Sequence, residues 1–143
     1  MSKEDKCILL QDLTARLSYG VILDYSFIED KQRIHTKIPL TYRNIGTVAL
    51  DEWHTNEEIF KPYLRPMSSM TEEEKEEVEE ISHGWFYINE DGEIFPMGRL
   101  TDSGEFEDAI LPTFEYFLKH HFDYRGLIEK GLALEALEGM YNV

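Results

Sequence analysis

The chain has 143 residues, 42% hydrophobic and 13% aromatic, with a formal net charge of −15. Such a length fits one domain that can bury about 68–70% of its unfolded surface, and the apolar content argues against global disorder. A polyanion repels phosphate, which disfavours direct nucleic-acid binding, and no stretch approaches the roughly 20 apolar residues of a membrane span.

Cys7 is the single cysteine, so no internal disulfide can form and a reducing cytosol is the simplest setting. The apolar run Cys7 to Leu10 has acids in front of it and is too short for a secretory leader. The expectation is one cytoplasmic domain over 1–143. Charge is spread unevenly along it. Residues 1–50 balance at +1, residues 51–100 at −10 and residues 101–143 at −6. This acidity either solubilises the protein or meets a basic partner.

Residues 3–17 read as a helix, with Ile8, Leu9, Leu13 and Leu17 at helical spacing and Asp12 and Arg16 opposite. Ser18-Tyr19-Gly20 stops it. Val21 to Ile28 is rich in β-branched and aromatic residues, with Val21, Leu23, Tyr25 and Phe27 on one face. A polar turn, Glu29 to Gln32, leads into Arg33 to Ile38. There Ile34, Thr36 and Ile38 alternate with outward Arg33, His35 and Lys37, and Pro39 ends the strand. Leu40 to Tyr42 and Thr47 to Leu50 read as two further short strands around Asn44-Ile45-Gly46. Consecutive strands of this kind suggest an antiparallel meander that curls into a small barrel.

Residues 51–60 read as short helical or irregular chain. Pro62 and Pro66 keep Lys61 to Met67 extended. A helix starts near Thr71, through either of two overlapping capping boxes, Ser69 with Glu72 or Thr71 with Glu74. Only Val78 and Ile81 give it an apolar stripe, so it is an acidic surface helix. Asp91-Gly92 predicts a hairpin between Trp85–Ile88 and Glu93–Phe95. Residues 98–105 read as loop. A long amphipathic helix spans about Phe106 to Phe122, facing Phe106, Ile110, Phe114, Phe117, Leu118 and Phe122 one way. Pro112 must then lie in its first turn or split it. A turn at Leu127–Ile128 and an apolar tail to Tyr141 follow. The predicted fold class is α+β, with an N-terminal helix, five to six antiparallel strands and helices packed on one side.

Catalytic signatures are sparse. His120, His121 and Asp123, with Glu115 as a further carboxylate, form the best cluster for a divalent metal of a hydrolase. Adjacent helical histidines point about 100° apart, however, and lack the i, i+3 or i+4 spacing of helical metal pairs. The plainer reading is a helix end whose histidines suit its dipole. Asn89 to Glu93 lacks the pattern of a calcium loop. Cys7 sits in an amphipathic helix, and Ser68 and Ser69 are explained by capping. There is no nucleophile elbow, phosphate loop or dinucleotide fingerprint. No catalytic residue, cofactor or metal is assigned.

Two phrases stand out. One is Lys61-Pro62-Tyr63-Leu64-Arg65-Pro66-Met67-Ser68-Ser69-Met70-Thr71-Glu72-Glu73-Glu74. The other runs from His120-His121-Phe122-Asp123-Tyr124-Arg125-Gly126 to Ala136. Together they resemble a family of small proteins encoded by phages, prophages and other mobile elements of gut anaerobes. The resemblance covers most of the chain and implies where the gene lives rather than a reaction. Two positions depart from the family pattern. Ser18 and Leu137 stand where it usually carries proline, which leaves the first turn less rigid and lets a short helix form in the tail.

Tyr63, Arg65, Tyr124 and Arg125 lie inside these phrases, and tyrosine and arginine are enriched at interface hot spots. With Glu73 and Glu77 of the acidic helix they are the candidate interaction residues. The plainer reading packs Tyr63 on the sheet and pairs Arg125 with carbonyls or with an acid of the Thr71–Ser82 helix. The expected function is an accessory protein of a mobile element acting by protein–protein contact, not an enzyme. The alternatives are an acidic nucleic-acid mimic that inhibits a basic enzyme, and a metal-dependent enzyme using His120, His121 and Asp123. The expected partner is a protein, with no membrane and no direct nucleic acid. The tail either docks on its own core or completes a second copy in a homodimer.

Overall fold

A computed structural model describes residues 2–49, 58–96 and 103–141. The fold is mixed α+β, with four α-helices, a four-stranded sheet and a two-stranded sheet among the described residues. The chain forms two compact units, one of Met1–Leu64 with Arg125–Val143 and one of Arg65–Tyr124.

In the first unit, α1 spans Lys3–Arg16 and is capped by Ser2, whose Oγ accepts from Asp5 N at 3.0 Å. A 3-10 turn over Leu17–Tyr19 and a left-handed Gly20 end it, so the break forms with Ser18 in place of proline. β1 (Ile22–Glu29) and β2 (Gln32–Pro39) make the expected hairpin. Asp30 and Lys31 take φ of 49° and 66°, a two-residue turn whose twist matches the strands it joins.

The strands expected at Leu40–Tyr42 and Thr47–Leu50 are replaced by one helix, α2 (Tyr42–Ala49). Thr41 and Asn44 cap it reciprocally. Thr41 N donates to Asn44 Oδ1 at 2.9 Å and Asn44 N to Thr41 Oγ1 at 3.4 Å. This is a capping box with Asn in the usual Glu position, and it overrides the turn signal of Asn44 and Gly46. It also removes the meander. β3 (Ile59–Leu64) lies antiparallel beside β1, and β6 (Leu134–Glu135) adds parallel to β3, giving the open order β2-β1-β3-β6 rather than a barrel. The expected extended segment thus begins as an inner strand. β6 pairs only with Tyr63 and Leu64, leaving Pro62, which lacks an N–H, outside that ladder.

One sheet face carries Leu23, Phe60 and Leu64 against Leu9 and Leu13 of α1, Val48 of α2, and Leu127 and Leu132. The tail docks on this unit's own core. Leu132 and Ala133 are buried, and the Tyr141 hydroxyl donates to Tyr63 O at 2.7 Å while accepting from Ile22 N at 3.0 Å. Turns rather than a helix surround Leu137.

In the second unit, α3 (Glu72–Ile81) starts at the Thr71–Glu74 box and buries Val78. β4 (Phe86–Ile88) and β5 (Ile94–Pro96) form the hairpin around Asp91-Gly92. α4 spans Ser103–Lys119, so residues 103–105 are helical rather than loop, while 98–102 lie outside the described residues. So do 51–57, expected to be helical or irregular. Pro112 sits inside α4, neither in its first turn nor at a split. It lies on the exposed side, where the carbonyl deprived of an N–H belongs to exposed Asp108, while Thr113 Oγ1 donates to Ala109 O at 2.7 Å on the buried side.

The helix stops before Phe122 because His121 takes a left-handed φ of 64°. Phe122 N donates to Phe117 O at 2.8 Å and His121 N to Leu118 O at 3.1 Å, a Schellman end with histidine where glycine is usual. Phe117 and Phe122 then join Met70, Val78, Ile88 and Tyr116 in the core of this unit. No helix among the described residues is long and apolar enough to cross a membrane.

Candidate interaction site

Strands alternate their side chains, so the four-stranded sheet has a second face opposite its core. Register sets the rows on that face. Lys37, Asp24 and Lys61 lie side by side across β2, β1 and β3; His35, Ser26 and Ile59 form the next row. Arg33 lies one row further on β2, and Tyr63 next to Lys61 on β3.

Of these, Asp24, Ser26, Arg33, His35, Ile59, Lys61 and Tyr63 line a cleft of about 240 Å³, beside which Lys37 stands. Its floor is Asp24 and Ser26, 5% and 1% exposed, buried although they lie away from the core. Its rim is basic. His35 Nδ1 lies 3.0 and 3.3 Å from the two Asp24 oxygens, and Arg33 Nη1 donates to Ser26 Oγ at 2.9 Å. Lys37 Nζ stands 5.9 Å from the centre of the Tyr63 ring. Burial pushes the Tyr63 hydroxyl pKa up, and the charge of Asp24 adds to it, so the ring stays a neutral wall.

Arg33, His35 and Lys61 therefore share one cleft with the Asp24 carboxylate, and Lys37 lies beside Asp24 in register. Asp24 holds the His35 ring in place, while 58% of the His35 side chain stays exposed. Ser26 is buried, and its Oγ accepts from Arg33. The arrangement offers basic groups that can receive negative charge.

Of the residues singled out from sequence, Tyr63 alone belongs to this face. Arg65 lies in the second unit, bonded to Glu74 by Nη2–Oε1 at 2.7 Å and Nη1–Oε2 at 2.9 Å, with its guanidinium 4.1 Å from the Phe122 ring centre. Glu77 accepts from the Tyr116 hydroxyl at 2.6 Å, and Glu73 is exposed on α3. Tyr124 packs edge-on to Phe114, with ring centres 5.1 Å apart. Arg125 Nη1 donates to Asp12 Oδ1 at 3.0 Å, so its acid comes from α1 and not from the Thr71–Ser82 helix.

His120 stacks on Tyr116 with ring centres 4.1 Å apart, and its Nδ1 is 3.9 Å from Glu74 Oε2. Burial lowers the His120 pKa, with Arg65 reinforcing and Glu74 opposing. Burial raises the Tyr116 pKa, helped by the hydrogen bond to Glu77. His121 is set apart by its left-handed backbone. No group of three or more His, Cys, Asp or Glu among the described residues is placed to hold a metal ion.

Sequence reasoning missed Asp24, Ser26 and Lys61 as partners of Arg33, His35 and Lys37. The alternation of the three bases was legible as a wet face. The pairing of β3 with β1, which brings Lys61 alongside, is non-local and leaves no local signal.

Compared with protein-family models, curated proteins and solved structures, the chain matches none.

Proposed function

We propose that the chain is a non-enzymatic accessory protein of a phage or other mobile element, acting in the cytoplasm by protein–protein contact through the cationic sheet face of its first unit. The observation that carries this reading is the rim of Arg33, His35 and Lys61 over the buried Asp24–Ser26 floor, with Lys37 beside it on β2, on a chain of net charge −15. An anionic patch on a partner fits that rim, and complementary charge steers encounter and sets register. Repulsion by the rest of the acidic surface restricts docking to this face.

The test is anisotropy of a fluorescent oligoglutamate titrated with the protein at low and moderate salt. Binding that weakens with salt and is lost in R33E/K37E/K61E supports the reading. Equal binding by that variant contradicts it.

A second reading rests on the opposite charge. Glu72, Glu76, Glu79 and Glu90 frame a hollow of about 320 Å³ in the second unit with Lys75 and Tyr87. That acidic face suits a nucleic-acid mimic occupying the basic groove of an enzyme. Reversing those glutamates then abolishes inhibition of the target; an undiminished effect ends the idea.

A further inference from the structure

β2 is an edge of the four-stranded sheet, paired with β1 on one side. Among the described residues no strand pairs with its other side. The turn at Asp30 and Lys31 determines which backbone groups point away from β1. In a two-residue hairpin the flanking pair, Glu29 and Gln32, exchanges hydrogen bonds, and so does every second pair beyond it. At the far end of the hairpin Leu40 N donates to Val21 O at 2.9 Å, in the same phase. Gln32, Ile34, Thr36 and Ile38 therefore bond inward to β1.

The N–H and C=O groups of Arg33, His35 and Lys37 consequently point outward along the edge. Each belongs to a basic residue whose side chain stands on the cationic face, and all of 33–37 is exposed. Pro39, which has no N–H, closes the run.

We propose that this edge docks an extended acidic segment of a partner protein, which adds to the sheet as a further strand with acids at every second position. A residue that exchanges bonds with Arg33, His35 or Lys37 places its side chain on the same face, directly opposite that base. The residues between them face Ile34 and Thr36 on the other side, where β-branched side chains fit the pleat. Edge charges normally keep strands apart. Arg33 and Lys37, two of one sign, make that exclusion selective. A second copy adding antiparallel about His35 sets Arg33 against Lys37 on both sides of the centre, so self-pairing is opposed by like charge. An acidic strand meets no such barrier. The inference rests on the cationic-face reading and adds to it a backbone requirement.

Three fluorescent peptides of about nine residues separate the two, a length within the usual range of strands. One alternates glutamate with valine and threonine. One has the same composition with its glutamates clustered. One is the alternating peptide N-methylated at its glutamate amides. Strand addition predicts that the first binds about tenfold or more tighter than either other, since the clustered peptide cannot set an acid opposite each base and the methylated one loses several backbone hydrogen bonds. It also predicts slowed amide exchange at Arg33, His35 and Lys37 when the first peptide binds. Equal binding of all three leaves the cationic face standing and overturns strand addition. Binding of none at low salt overturns both. A dimer of the free chain that the alternating peptide dissolves puts a second copy on the edge and overturns the choice of partner.

Discussion

Arg65 and Glu74 meet as a two-pronged pair, with Nη2–Oε1 at 2.7 Å and Nη1–Oε2 at 2.9 Å. The same Glu74 carboxylate completes the capping box at the start of α3 by accepting from Thr71 N at 3.0 Å. Arg65 thus ties the residue after β3 to the first turn of a helix. Lysine supplies the charge but neither the fork nor the flat contact on Phe122. Arg65→Lys should cost about 1–2 kcal/mol, and Arg65→Ala about 2–3 kcal/mol because Glu74 is left half-buried without its cation. Urea unfolding with unchanged slope checks both.

Acid should destabilise the fold in two stages. The folded His120 pKa lies below its ordinary 6.5, because burial disfavours the imidazolium. Its contribution is complete above 6.5 and is lost as pH falls through the lowered folded value. Burial pushes the Glu74 carboxyl up, but the Arg65 and Thr71 hydrogen bonds together hold it below its ordinary 4.5. That contribution is present above 4.5 and is lost as pH falls through the still lower folded value. Melting curves from pH 7.5 to 3 should show His120→Gln losing the upper stage and keeping the lower. A variant that follows the wild-type profile throughout removes His120 from the account.

Asp12 and Arg16 are both fully buried and 2.7 Å apart, with Arg125 on the second Asp12 oxygen. Asp12→Ala leaves a buried guanidinium without its carboxylate and should cost about 3–5 kcal/mol. Arg125→Ala, at the partly exposed end, should cost about 1 kcal/mol. Chemical denaturation of the two variants checks that order.

Lys31 occupies a left-handed backbone position with φ of 66°. Lys31→Gly creates Asp-Gly, the pair a primed turn favours, and should raise stability by about 0.5 kcal/mol. A decrease would contradict the two-residue turn that sets the register of β2.

Local chemistry was legible in the sequence wherever it was decisive. The Thr71–Glu74 box, the Asp91-Gly92 hairpin and the alternation of Arg33, His35 and Lys37 all signal their own structures. α2 was not, because Asn44 serves as a cap only when Thr41 faces it, and Gly46 speaks equally for a turn. Pro112 misled for a related reason, since its cost depends on whether the stranded carbonyl faces water. The cleft could not be read at all. Asp24 and Lys61 become neighbours only when β3 pairs with β1, and the core-facing pattern of β1 gives no hint that Asp24 is buried on the other side.

The central claim is that Arg33, Lys37 and Lys61 form the contact face for an acidic partner. The direct measurement is a paired pull-down from host lysate, with and without an induced prophage, using wild-type and R33E/K37E/K61E proteins of equal stability as bait. An acidic protein retained by the wild type at moderate salt and lost by the variant is the predicted result. Identical captures by both baits would contradict it.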